Sequence, residues 1–341
     1  MRKLLLLVLF FSAYGQAEEF YPENLIQLDD YFTHHIVIAE KSTHRLFLYE
    51  NSGGYPKLLQ TYSMATGKKS GDKKNQGDHR TPEGVYEFVE FLPHKILIQR
   101  HGEAGRIYGV GAFVMNYPNP MDRRENKSGG GIWLHSTNDE TRIEKGLDSR
   151  GCVVTRNKDL IDIAKYLELN KSHIIVVDSL KHLSNVSHTK VRNKVNAFLA
   201  NWTEAWTNEN VALYLSHYHP GKFKTPSNKN FSEFAAYKER VFKYPGKPEV
   251  KLGNVSILQT NEYVKVTFTQ HYKSNTINDT GRKTLYLVRD QYYSYKIVEE
   301  RWQKIPAPDK QEGSAISSFE PSMRFFESYT IDESIFKKSN N

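Results

Sequence analysis

The sequence has a single cysteine in 341 residues, Cys152, so the paired thiols that staple many secreted chains are missing. A lone thiol in an oxidising compartment is either buried and inert or kept for its reactivity. Long apolar runs are also missing. The stretch from Leu4 to Phe11 falls short of the roughly 20 residues that span a bilayer, and no later segment comes close. Blocks of one charge sign are lacking as well: 47 basic and 39 acidic residues give a net charge of +8, scattered along the chain rather than gathered into a tail. That distribution suits a mild attraction to a polyanionic surface, or simple solvation, and gives no reason to expect a nucleic-acid partner. There is no internal repeat and no extended low-complexity segment.

What is present begins with a three-part leader. Arg2 and Lys3 precede the apolar run, and small residues follow up to Gly15-Gln16-Ala17, the layout of a secretory signal cut after Ala17. Residues 1–17 are therefore read as a signal peptide and 18–33 as an N-terminal segment of an exported protein. With no cysteine near Ala17, no lipid-modified anchor is expected, and no transmembrane span remains after cleavage.

Short β-type runs fill the next part of the chain: Ile36 to Ala39, Arg45 to Tyr49, Leu58 to Ala65, Gly84 to Phe91, Phe113 to Tyr117 and Ile132 to His135. A helical pattern follows Cys152, with Leu160, Ile163, Ala164 and Leu167 on one face, and a closing strand spans Ile174 to Val177. This predicts a mainly β domain over 34–178, a sandwich or barrel with one short helix after the cysteine. The polar stretch 179–189 reads as a linker. Beyond it, Val191, Val195, Phe198, Trp202 and Trp206 recur at helical spacing, two shorter helical patterns follow, and four β-rich runs come last. Helices followed by a strand meander predict an α+β domain over 190–305. Residues 306–341 read as a packed C-terminal tail.

The chemistry concentrates in Gly129 to Thr137 and Ser149 to Val154. A thiol attacks an amide carbonyl as its thiolate, so it needs a base within hydrogen-bond reach and surroundings that lower its pKa. His135, ending a strand, is placed to act as that base. Ser149-Arg150-Gly151-Cys152 forms a small-residue turn whose Gly151 and Cys152 backbone N–H groups would face a developing oxyanion. The pairs His217/His219 and His34/His35 have no partner cluster at metal-ligand spacing, so neither metal nor cofactor is expected.

This arrangement resembles the L,D-transpeptidase catalytic domain, the YkuD family, whose signature is a histidine, a short loop and then Ser-x-Gly-Cys. Ala65-Thr66-Gly67 and Thr81-Pro82-Glu83-Gly84 resemble the family's upstream strand pair, so the likeness covers residues 34 to 178. It implies Cys152 as nucleophile, His135 as base, Ser136 orienting the imidazole through its backbone carbonyl, and Gly151 as a backbone oxyanion donor. Ser149, Arg150, Asn116, Tyr117 and Trp133 are the candidate substrate contacts. Val154 stands where many members carry arginine, and Arg150 is a hypothetical replacement. The second half resembles a nuclear-transport-factor-like cone, and the combination resembles the cell-shape L,D-carboxypeptidases.

The implied substrate is the peptidoglycan stem peptide, cut between meso-diaminopimelate and D-alanine through a thioester, in the periplasm or cell-wall space. Water as acceptor trims the stem and is the favoured outcome; an amine acceptor would cross-link stems or attach proteins. A non-catalytic wall-binding or scaffolding protein is the other reading, and a homodimer or a wall-synthesis partner held by the C-terminal domain stays open. A papain-like order is excluded because the histidine comes first, and the sortase strand before the cysteine is missing. A catalytic Cys152 should be alkylated readily near neutral pH, whereas a buried structural thiol should resist until the protein unfolds.

Overall fold

The computed structural model describes residues 18–305 apart from 245 and 247, so the expected signal peptide and C-terminal tail lie outside the described residues. In chain order the first part holds β1 (Phe20–Pro22), β2 (Leu25–Gln27), β3 (His35–Glu40), β4 (Arg45–Ser52), β5 (Tyr55–Gly67) and β6 (Gly84–Pro93). Helix α1 (His94–His101) and a 3-10 segment (Gly102–Tyr108) lead to β7 (Gly111–Met115), α2 (Pro120–Arg124), β8 (Trp133–His135), α3 (Thr141–Glu144), β9 (Leu147–Ser149) and β10 (Val153–Thr155). Then come α4 (Asn157–Ala164) and β11 (His173–Val177). The nine strands of the main sheet run β10-β8-β7-β6-β11-β3-β4-β5-β9, and β10 also pairs with β5, which folds the sheet back on itself. This is the expected mainly β domain with its short helix after Cys152.

The centre of the sheet is the parallel pair β3 and β11, in register Val37 with Ile174, Ile38 with Ile175 and Ala39 with Val176. Strands buried on both faces read as unbroken apolar runs, as these do. Because side chains alternate along a strand, the two faces serve different cores. Val37, Ala39, Ile174 and Val176 pack with Leu160, Ile163 and Ala164 of α4. Ile36, Ile38 and Ile175 point the other way, against Leu258, Tyr263, Tyr286 and Val298.

Those last four residues belong to the second half. It comprises β12 (His182–Ser184), α5 (Asn185–Thr207), α6 (Val211–Ser216), α7 (Phe231–Phe242), β13 (Glu249–Gln259), β14 (Val264–Lys273), β15 (Asn278–Arg289) and β16 (Tyr295–Lys304). Its sheet runs β16-β15-β14-β13-β2, so a strand from the N-terminal segment forms its edge. The helices cover the other face of this sheet through Trp202, Tyr214, Tyr218 and Phe234, giving the α+β cone. The polar stretch read as a linker is not a plain connector: it carries β12, which pairs with β1, and the first turn of α5, where buried His188 hydrogen-bonds the Leu25 carbonyl.

One buried ionic knot joins the two sheets. Glu87 of β6 accepts from Lys265 Nζ at 2.5 Å and from Arg282 Nη2 at 2.6 Å, while Lys265 also donates to His173 Nε2 at 2.8 Å. Burial pushes the Glu87 carboxyl up, but Lys265, His173 and Arg282 outweigh it and hold the group well below the usual range. Replacing Glu87 by glutamine leaves two cations facing each other in a largely buried interface. Glu87→Gln should therefore lower unfolding stability by about 3 kcal/mol, read from urea denaturation.

Candidate functional site

His135 and Cys152 come together through one pairing. β8 and β10 run parallel, with Leu134 opposite Val153 and His135 opposite Val154. Extending that register sets Cys152 beside Trp133 and on the same face as His135, one pleat away. Cys152 is half-buried, with its sulfur 3.5 Å from the Gly131 carbonyl, and it packs beside Ala65, Ile143 and Val154.

His135 is fully enclosed. Its Nδ1 lies 2.5 Å from the Ser136 carbonyl, which can only accept, so Nδ1 carries the hydrogen and Nε2 is left with a free lone pair. Burial pushes the imidazole down to about 4, so it is neutral throughout the physiological range. Tyr108 stands edge-on to the ring at 5.0 Å between centroids and stacks at a tilt against Trp133 at 4.9 Å. The Ser136 side chain does a separate job: Oγ accepts from the Val110 N–H at 2.8 Å and donates to the Tyr108 carbonyl.

The thiol differs from the sequence expectation. Burial pushes it up to about 11, and the Trp133 backbone N–H, Arg142 and Lys73 offset this only in part. The resting pair is therefore a neutral thiol and a neutral imidazole.

The nucleophile turn is held by Ser149, whose Oγ donates to the Cys152 carbonyl at 2.6 Å and accepts from the Gly151 N–H at 3.0 Å. Two sequence assignments change here. Ser149 is buried turn scaffolding rather than a substrate contact, and the Gly151 N–H is committed within the turn rather than open to an oxyanion. Gly151 is required for another reason: its φ is +133°, and an added Cβ would lie 2.7 Å from the Arg80 carbonyl oxygen.

Of the remaining candidates, Arg150 is exposed beside the nucleophile and Trp133 is half-buried near it. Asn116 and Tyr117 are corrected. Asn116 pairs with the backbone of Glu87 through both its N–H and its Oδ1. Tyr117 is a core residue whose hydroxyl reaches the Ser128 carbonyl, so it supports the glycine loop 129–131 from behind. The β-run read as reaching Tyr117 ends at Met115, and both side chains are used by the fold.

Several groups at the site escape the motif. Tyr108 covers the imidazole, and Asn157 donates to the Thr137 carbonyl while its Oδ1 accepts from Val110 N–H. Asn157 is the first residue of α4 rather than its cap, which is Arg156. The buried Arg142 donates to Asp148, Thr137 and the Ile107 carbonyl. His217 and His219 are absorbed into local bonds around the end of α6, and His34 lies 3.3 Å from Glu168.

Gly151→Ala should cost about 1–3 kcal/mol of stability, from a backbone conformation that disfavours a side chain and a carbonyl in its way. Gly130→Ala, where nothing lies within 4 Å, should stay within about 0.5 kcal/mol of the parent in the same urea titration.

Comparison with known proteins agrees with this geometry. Residues 34–177 match the L,D-transpeptidase catalytic domain (YkuD), and residues 194–301 match the Cds6 C-terminal NTF2-like domain. The structure of Bd1075 from Bdellovibrio bacteriovorus is 31% identical, with a TM-score of 0.73 over 85% of this chain and 100% of that one. The helical cell shape determining protein Pgp2 from Campylobacter jejuni is 28% identical, with a TM-score of 0.65 over 82% of this chain and 95% of that one. Curated protein sequences give no match. The chain thus belongs to the L,D-transpeptidase (YkuD) catalytic-domain family, with an NTF2-like domain following the catalytic one.

Proposed function

We propose that this protein is an exported enzyme that trims peptidoglycan stem peptides, cleaving the bond between meso-diaminopimelate and D-alanine through a thioester on Cys152. The observation that carries the reading is the parallel β8–β10 pairing, which sets an acceptor-ready imidazole and the chain's one thiol on a common face.

The steps use these two side chains. His135 Nε2 takes the thiol proton as Cys152 Sγ attacks the diaminopimelate carbonyl, so that neither charge has to exist alone in a buried site. With the Gly151 N–H engaged by Ser149, the Cys152 N–H is the donor of this turn assigned to the tetrahedral oxyanion. His135 returns the proton to the D-alanine nitrogen, the C–N bond breaks, and the acyl group remains on sulfur. Water, deprotonated by the same imidazole, then attacks the thioester and releases the tripeptide and the free thiol.

Hydrolysis is favoured over cross-linking because the two-domain arrangement is shared with Pgp2, named as a helical cell shape determining protein. Removing a terminal residue changes how stems can be joined, which fits an influence on shape. The amine-acceptor reaction shares every step up to the thioester and is the second reading.

Products separate the two. Purified protein incubated with tetrapeptide muropeptides should release D-alanine and tripeptide muropeptides, resolved by chromatography and mass spectrometry. Cys152→Ala should fall to background. Stem-to-stem dimers in place of tripeptides would move the assignment to transpeptidation, and neither product from folded protein would remove it.

A further inference from the structure

The motif position where many relatives carry a guanidinium holds Val154 here, fully buried against Ala65 and Ile143. A buried guanidinium is nevertheless present at the site, from another element. Arg142 of α3 is only 9% exposed. Its Nε donates to Asp148 Oδ2 at 2.5 Å, and its Nη1 donates to Thr137 Oγ1 at 3.1 Å and to the Ile107 carbonyl at 3.3 Å. These three partners lie two residues after His135, four before Cys152, and next to Tyr108, the ring that covers the imidazole. One planar fork thus ties together the segments that carry the base, the nucleophile and the cover. The next residue, Ile143, packs against Cys152 itself.

We propose that Arg142 is a positioning residue of the reaction, clipping the His135 and Cys152 segments into register and supplying the positive charge that the sulfur faces as its proton leaves. The inference rests on the cysteine mechanism proposed above and deepens it. Asp148 sets the sign balance. Arg142 draws the thiol down and opposes protonation of His135, whereas Asp148 favours a charged imidazole. Arg142 thus acts on both reacting groups, and Asp148, hydrogen-bonded to it, partly offsets it at the imidazole. Other charged or titratable groups face the same space. Lys145 is 4.0 Å from Asp148, Lys73 of the loop after β5 is held by Asp78 at 2.7 Å, Arg150 is exposed on the turn, and Tyr108 stays protonated because burial raises it. Among these, Arg142 is the buried cation hydrogen-bonded to the segments of both reacting groups.

A structural clip and an electrostatic role are separated by the sign of paired substitutions. The readout is the rate of Cys152 alkylation by iodoacetamide across pH 7 to 10, in the full folded protein, with folding checked by circular dichroism. Arg142→Gln should shift the profile up by about one pH unit and slow alkylation at pH 8 about threefold. That is roughly tenfold less thiolate, partly offset by its higher intrinsic nucleophilicity. Asp148→Asn, which removes the opposing charge, should shift the profile down. Arg142→Lys keeps the charge without the fork and should stay near the parent profile while losing muropeptide turnover through misalignment. Shifts of the same sign in Arg142→Gln and Asp148→Asn, or an Arg142→Lys profile displaced as far as that of Arg142→Gln, would overturn the proposal. A parent thiol that resists alkylation until unfolded would instead overturn the cysteine mechanism itself.

Discussion

The site depends on the register of two three-residue strands. β8 ends at His135 and β10 begins one residue after Cys152, and only their parallel pairing brings both groups to one face. Parallel strands cannot be joined by a tight turn. The intervening chain uses its length for α3, β9 and the Ser149 turn, and each contributes a fastening: Arg142 from the first, Asp148 from the second, Ser149 Oγ from the third. β10 is also held from its other edge, where Val154 and Thr155 pair with Ala65 and Met64 of β5. Cys152 therefore sits beside a strand fixed on both sides, which limits how far it can move relative to His135.

Burial makes the thiol proton the controlling quantity. The buried imidazole and the half-buried thiol both resist charge, so the resting state near neutral pH is uncharged. Oxidation of sulfur proceeds through the thiolate, so a neutral thiol is also the slower one to oxidise.

How much of this the sequence reveals follows from where the information sits. The meeting of His135 and Ser136 with Gly151 and Cys152 is legible because these residues lie in two short contiguous stretches. The β-runs are legible because strands buried on both faces, such as Ile36 to Ala39, must be apolar throughout. Arg142 and Tyr108 are not, because an arginine in a four-residue helix and a tyrosine ending a 3-10 segment look like ordinary surface residues until the fold closes over them. Asn116 and Tyr117 are suggested by the resemblance of their segment to one that borders the family's cleft, and here one satisfies a neighbouring strand and the other fills the core. The stretch 179–189 is polar because β12 and the start of α5 are largely solvent-facing, and its one fully buried side chain, His188, is itself polar, so composition hides its order.

The edge strand β2 has a consequence for how the molecule is made. Leu25 to Gln27 are among the first described residues, yet they complete a sheet whose other strands begin at Glu249. A chain emerging from its amino end can pair β3 with β4 and β4 with β5 early, but the face of that sheet carrying Ile36, Ile38, Val85 and Ile175 waits for strands that begin only at Glu249. Such distant closure is slow, and it leaves greasy surface uncovered meanwhile. Severing the two halves would leave that surface permanently bare, so the first half is an unfinished object without its successor.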